Sequence, residues 1–290
     1  PQRGLMKTFL GIDPNDERFG RLSGALTDLN RPMELFFPAP RSSRTTYAEL
    51  VDQIRQQGHG LTSGRAVEHP SVLAHLARTS PTALDDDTAI GNLVLMVKEG
   101  TIMVRGLLRW LMKMLGEHPE WVDRIRAVEP DSRAVDDHCR AFVHETIRLF
   151  ESRYVYRRTL RPIEFEGYVI PKGWLVRLCT GEAHEDPVVF ERPEEFNPER
   201  FLAAPKPTDE FCPFGHGERA CLGQQPAVEI ATAFVREAAL GWDVRNMDDG
   251  PAWRINRHWG LWRPSLQLRV RLEARRKLPS DVGRSAPLRR

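Results

Sequence analysis

The sequence is short of cysteine: Cys139, Cys179, Cys212 and Cys221 are all that its 290 residues contain. They are too few and too far apart for a disulfide framework, and no Cys-x-x-Cys pair offers half a zinc site. The composition therefore suits a reducing compartment and a cytoplasmic location. Long apolar runs are missing too. No stretch approaches the ~20 residues of a membrane span, and no signal-peptide pattern opens the chain at Pro1, so no membrane anchor is visible. A dominant charge is also absent. With 42 Lys and Arg against 40 Asp and Glu, a formal net charge of +2, there is no global argument for nucleic acid or an anionic membrane as partner. The basic surplus is local, at Arg269, Arg271, Arg275, Arg276, Lys277, Arg284, Arg289 and Arg290, and reads as a solvated chain end rather than a binding patch. Residues 278–290 are expected to be a disordered basic tail. What remains, 41% hydrophobic and 28% charged, is an ordinary globular composition with enough apolar mass for a sizeable core.

Apolar spacing predicts mostly helix. Leu5, Met6, Phe9 and Leu10 precede the break at Asp13-Pro14, Phe19, Leu22, Ala25, Leu26 and Leu29 recur at helical intervals, and further helices are predicted over 46–57, with Tyr47, Leu50, Val51 and Ile54 on one face, and 71–78. Such stripes are core rather than site. The longest signal covers about 84–115 and opens on acidic residues, as a helix N-terminus favours. It is apolar on several faces but interrupted by Lys98, Glu99, Gly100 and Thr101, and a charged break in a buried helix is costly unless it faces a cavity. Helices over 120–128 and about 132–150 follow. Strand pairs around a turn are predicted for 163–170, a strand for 174–178, a helix for 224–239 and a closing hairpin for 253–272, where Leu266, Leu268 and Val270 alternate with polar residues.

The stretch from Phe211 to Gly223, Phe-Cys-Pro-Phe-Gly-His-Gly-Glu-Arg-Ala-Cys-Leu-Gly, is richer than a connecting loop requires. Cys221 stands just before a helix, where unsatisfied backbone N–H groups and the helix dipole stabilise a thiolate, so it suits a metal ligand or a nucleophile. Gly215, Gly217 and Gly223 permit positive φ and close approach of a flat group, and Arg219 offers a fork of donors for a carboxylate. The residues themselves point to a thiolate beneath a large cofactor that carries acid groups.

Phe214-x-x-Gly217-x-Arg219-x-Cys221-x-Gly223 resembles the haem-binding signature of the cytochrome P450 family at every defined position. The resemblance implies a mainly α fold with small β-sheets, haem b (iron protoporphyrin IX) as cofactor, Cys221 as iron ligand, Phe214 against its sulfur with Gly215 and Gly223 shaping the loop, and Arg219 on a propionate. Glu145 and Arg148, at i and i+3 on one helix face, are similar to the family's Glu-x-x-Arg. Pro198-Glu199-Arg200-Phe201 supplies the third partner, so Glu145, Arg148 and Arg200 are expected to form a structural ionic lock. Arg157 or Arg158 occupies the spacing of a further propionate ligand, with Arg158 preferred. His184-Glu185-Asp186-Pro187 continues the match, and as a lone histidine His184 is not expected to bind metal. His216 is expected at the surface.

On the long helix the family shows Ala-Gly-x-Asp/Glu-Thr, where this chain has Met96-Val97-Lys98-Glu99-Gly100. The acid is kept as Glu99, Gly100 replaces the threonine, and Thr101 is rotated by about 100°. Glu99 and Thr101 are the catalytic candidates. The resemblance implies residues 1–277 as the C-terminal two-thirds of a cytochrome P450 domain, N-terminally truncated. It also implies a monooxygenase that takes electrons from a ferredoxin or flavoprotein reductase and acts on a small apolar substrate. Two alternatives stay open: an isomerase, dehydratase or peroxygenase that dispenses with the usual O2 activation, and a non-catalytic haem-binding remnant.

Overall fold

The computed structural model describes residues 2–29, 41–62, 70–130, 132–150, 154–202, 210–247, 254–255, 262–264 and 268–275. The expected basic tail and Leu266 of the expected hairpin lie outside them. The chain divides into two compact units, Pro1–Gly106 and Leu107–Arg290.

The first unit is helical: α1 (Gln2–Leu10), α2 (Glu17–Leu29), α3 (Arg41–Thr62), α4 (Val72–Thr79) and the first part of α5 (Asp87–Glu117). Its core is the set the helical spacing picks out, with Leu5, Met6, Leu10, Leu22, Leu26, Leu50, Ile54, Leu73, Leu84 and Val97 all buried. Each such side chain contributes about 1.5–3 kcal/mol. Helix starts follow local chemistry. The Ser71 hydroxyl accepts the Ala74 N–H at 3.1 Å to cap α4, and the Asp86 carboxylate accepts the Thr88 N–H at 2.8 Å ahead of α5.

Three expectations are corrected here. Helix α3 extends beyond 46–57 at both ends, running through Gly58 and Gly60 where the sequence reading stopped it. Gly58 sits in the helix because a Cβ there would lie 2.6 Å from a Leu84 methyl and 3.2 Å from Leu73: close packing, not a chain break, explains the glycine. Tyr47 leaves the apolar face of α3 and is 42% exposed, its hydroxyl lying where a Cβ on Gly91 would come within 2.8 Å. Nor is α5 buried all round, since Leu95 is 50% exposed.

The second unit holds the remainder of α5, α6 (Pro119–Ala127), α7 (Arg133–Phe150), β1 (Val155–Arg158), β2 (Ile163–Phe165), β3 (Tyr168–Ile170), β4 (Leu175–Leu178), α8 (Thr180–Ala183), α9 (Gln224–Gly241), β5 (Trp242–Asn246), β6 (Arg254–Ile255), β7 (Trp262–Arg263) and β8 (Val270–Ala274). The described strands form four two-stranded antiparallel sheets, β1–β4, β2–β3, β5–β8 and β6–β7. In the β2–β3 hairpin, Phe165 pairs with Tyr168, and Glu166 (φ 49°) and Gly167 (φ 79°) make the two-residue turn. The core lies between α7 and α9. Val135, Cys139, Phe142, Val143 and Ile147 project from α7 at helical spacing onto Val228, Ala231, Val235 and Ala239 of α9, where small residues let the two backbones approach.

The expected closing hairpin is divided differently. Strands β6 and β7 pair within it, but Val270 belongs to β8, which pairs with the unforeseen strand β5 in the register Asn246↔Val270. An alternating pattern identifies a strand without identifying its partner. Strand β5 returns to α5: the Asn246 amide donates to the Lys113 carbonyl at 3.1 Å, and Gly116 leaves the room for it, since a Cβ at 116 would meet the Asn246 side chain at 2.5 Å.

Candidate haem-thiolate site

The Phe211–Gly223 loop leads into the N-terminus of α9. Its path is set by local hydrogen bonds. The Gly215 N–H donates to the Cys212 carbonyl at 3.0 Å, Ala220 N–H to Gly217 at 3.0 Å, and Cys221 N–H to the Phe214 carbonyl at 2.8 Å. Gly215 (φ 75°) and Gly217 (φ 62°) occupy left-handed conformations that a side chain would strain. The loop thus folds back so that Phe214 and Cys221 are joined through the backbone. Phe214 packs against the α7–α9 core, whereas Cys221 and Arg219 are exposed and Leu222 is 79% exposed. Gly223 caps α9, and a Cβ there would stand 3.8 Å from the Cys221 sulfur. His216 is exposed.

A charge network with a buried centre lies on α7. Glu145 and Arg148 of α7 are both 0% exposed and paired in a two-point fork, Nε to Oε2 and Nη2 to Oε1, each at 2.8 Å. Arg200 donates Nε to the same Glu145 Oε1 at 3.1 Å, and the Asn197 N–H adds a further bond to it at 2.9 Å. The remaining guanidinium hydrogens are spent on main chain: Arg148 on the carbonyls of His184 and Pro193, both at 2.8 Å, and Arg200 on Glu191 at 3.0 Å. Arg148 also stands over the Phe190 ring at 5.2 Å. A buried ion pair is sustained only when its spare hydrogen-bonding groups are satisfied, and here they fix the segment 184–201 onto α7.

Residues that sequence reasoning missed connect this network to the loop. The ring of His184, 0% exposed, accepts the Cys212 N–H on Nε2 at 3.2 Å. Phe211 lies 5.2 Å from His184, 4.9 Å from Phe201 and 5.7 Å from His144. Burial, reinforced by Arg140, pulls His144 down to about 4 from its ordinary 6.5, so its ring is neutral. Burial likewise pushes the Cys139 thiol up to about 12. The signal for His184 in the sequence is a histidine before an Asp-Pro turn between the lock and the loop, which names no hydrogen-bond partner.

Arg158, on β1, is exposed and donates to the Gly173 carbonyl at 2.6 Å, while Arg157 bonds to Tyr156 at 2.8 Å. Glu99 and Thr101 lie in the first unit. Glu99 pairs with Lys98 at 3.1 Å, and Thr101 is buried with its hydroxyl donating to the Val97 carbonyl at 2.6 Å.

A lone accessible thiol has too few donors around it to hold a bare metal ion, and among the described residues no cluster of three His, Cys, Asp or Glu could do so. A metal bound here must bring its other ligands, as the iron of haem does with its macrocycle. The loop fits that group: one sulfur at a helix N-terminus, an exposed arginine, and glycine backbone where a ring must come near.

Residues 107–236 match the family model of cytochrome P450. This segment is similar to cytochrome P450 in sequence, and the chain is similar to it in fold. Among curated relatives of the chain are abscisic acid 8'-hydroxylase 3 of Oryza sativa subsp. indica, 25% identical over 75% of this chain and 47% of the relative, and ent-kaurenoic acid oxidase 1 of Hordeum vulgare, 28% identical over 83% of this chain and 54% of the relative. The chain therefore spans about half the length of the curated relatives it matches. Retinoic acid-bound cyanobacterial CYP120A1 superposes with a TM-score of 0.74 at 22% identity, over 94% of this chain and 66% of that one; CalO2 does so with 0.71. The mainly α architecture with small sheets is the P450 fold, and the family's cofactor is haem. No helix among the described residues is long and apolar enough to cross a membrane.

Proposed function

We propose that this chain is the haem-thiolate part of a monooxygenase, with Cys221 as the residue that would ligate the iron. The observation that carries the reading is the accessible Cys221 thiol at the start of α9, tied through its own N–H to Phe214 in a loop that His184 joins to the Glu145–Arg148–Arg200 network. Bound haem supplies oxygen activation: one atom of O2 enters a C–H bond and the other leaves as water, with two electrons and two protons delivered. The chain's own residues do the rest. Cys221 would supply the sulfur ligand, Arg219 would neutralise a propionate, with Arg158 as a second such donor, and Gly215, Gly217 and Gly223 would keep side chains out of the way. Residues 1–277 act as about two-thirds of such a domain.

A ferredoxin or flavoprotein reductase is the proposed electron donor. The substrate is a small apolar molecule, and screening begins with apolar carboxylic acids, the class the names of the relatives share. Glu99 is the proposed proton-handling residue of α5. The Thr101 hydroxyl is engaged on Val97, and Gly100 carries no hydroxyl, so the usual threonine relay is absent from α5. That observation favours a second reading, oxygen transfer from peroxide or substrate rearrangement without O2.

Haem-loaded protein, reduced under carbon monoxide, is expected to show the thiolate-type Soret band and to lose it in Cys221→Ala. A variant that keeps the band overturns the ligand assignment, and wild-type protein that never shows it overturns both enzymatic readings. Product formation with NADPH and a reductase but not with hydrogen peroxide supports the monooxygenase, and the converse supports the alternative.

A further inference from the structure

We propose that His184 is a positioning residue for the thiolate loop, transmitting the order of the buried ion-pair network to Cys221. The proposal rests on the haem-thiolate reading of that loop.

His184 has one end on each structure. Its carbonyl accepts Arg148 Nη1 at 2.8 Å, so its backbone is held by the network on α7. Its ring accepts the Cys212 N–H on Nε2 at 3.2 Å. Because a backbone N–H can only donate, Nε2 carries a lone pair and the proton of the neutral ring sits on Nδ1. The ring is fully buried and flanked by Phe190 and Phe211, with centroids at 6.3 and 5.2 Å, so its orientation is set by packing as well as by its acceptor. Cys212 is not a bystander in the loop. Its carbonyl accepts the Gly215 N–H at 3.0 Å, closing the turn that presents Phe214, and the Phe214 carbonyl accepts the Cys221 N–H at 2.8 Å. An unbroken hydrogen-bonded path therefore runs from Glu145 through Arg148, His184, Cys212 and the turn to the amide of the ligand cysteine. Two aromatic contacts of Phe211, to Phe201 and His144, support the same end of the loop, but His184 alone bonds to both the network and the loop's main chain among these residues.

The requirement is an acceptor at the Nε2 position. Glutamine reaches that position with a carbonyl oxygen, leucine fills comparable space without an acceptor, and asparagine stops short of the Cys212 amide.

The test compares wild type, His184→Leu and His184→Gln by two measurements. Hydrogen exchange on the haem-free protein is expected to be about tenfold faster over residues 211–215 in His184→Leu, with the α9 core unchanged and His184→Gln close to wild type. The carbon monoxide spectrum of haem-loaded protein, taken well below the unfolding transition, is expected to lose at least about half of its thiolate-type band in His184→Leu and to keep it in His184→Gln. A merely space-filling role would lower the unfolding temperature without separating leucine from glutamine in either readout. Should His184→Leu fail to fold, His184→Asn against His184→Gln gives the same comparison. Wild-type exchange over 211–215 in His184→Leu, or in His184→Asn where it replaces that variant, overturns the proposal. If wild-type protein binds no haem, the functional reading fails, while the exchange measurement still decides the role of His184.

Discussion

Gly100 of α5 lies against Leu5 of α1, so closely that a Cβ at position 100 would stand 3.2 Å from one Leu5 methyl and 3.7 Å from the other. Leu5 is 3% exposed and has little room to retreat. The glycine that departs from the family's threonine is thus also a packing residue. Gly100→Thr is expected to destabilise the protein by about 1–3 kcal/mol, and the cost to shrink when Leu5→Ala is present. Urea titrations of both single variants and the double variant measure this coupling; additive changes would show that the contact is not what selects glycine.

Removing one charge from the buried network strands the others. Glu145→Gln leaves Arg148 without its anion at a site from which water is excluded, and is expected to cost about 3–5 kcal/mol. Arg148→Lys is no milder, because a single ammonium cannot make the forked pair and reach two carbonyls besides. Chemical denaturation reads both, and a loss below about 1 kcal/mol in either would contradict the buried-pair account.

The four thiols differ in access. Cys139 is buried with its thiol pushed up to about 12, whereas Cys179 and Cys221 are exposed. In haem-free protein a maleimide reagent at neutral pH is expected to modify Cys179 and Cys221 within the first phase and Cys139 only after unfolding. Cys221→Ala should leave the denaturation midpoint nearly unchanged while protecting the loop peptide from labelling; early modification of Cys139 would refute the assigned core.

Half-buried His144 gives an acid-side prediction. Its native value of about 4 lies below the ordinary 6.5, so between those two the unfolded chain binds the proton and the native state does not. This contribution is complete above about 6.5 and is lost as pH falls towards 4, by at most about 3 kcal/mol. His144→Gln is expected to flatten that part of the stability profile. An unchanged slope in the variant would mean that another group titrates.

The sequence by itself determined the helical core, the loop proposed to hold haem and the resemblance to cytochrome P450. A helix declares its buried face through residues a few positions apart, as Val135, Cys139 and Phe142 do, and the haem signature from Phe214 to Gly223 is contained in ten consecutive residues. It also named the three members of the charge network, through motifs rather than through geometry. Tertiary structure alone decided what meets across distance. That Val270 pairs with Asn246 rather than within a closing hairpin, that Gly58, Gly100 and Gly116 are glycines because Leu84, Leu5 and Asn246 press against them, and that His184 joins Arg148 to Cys212 are all facts about partners. Periodicity records which way a side chain faces, not which surface it faces, because burial is non-directional and the same apolar stripe is satisfied by any complementary neighbour.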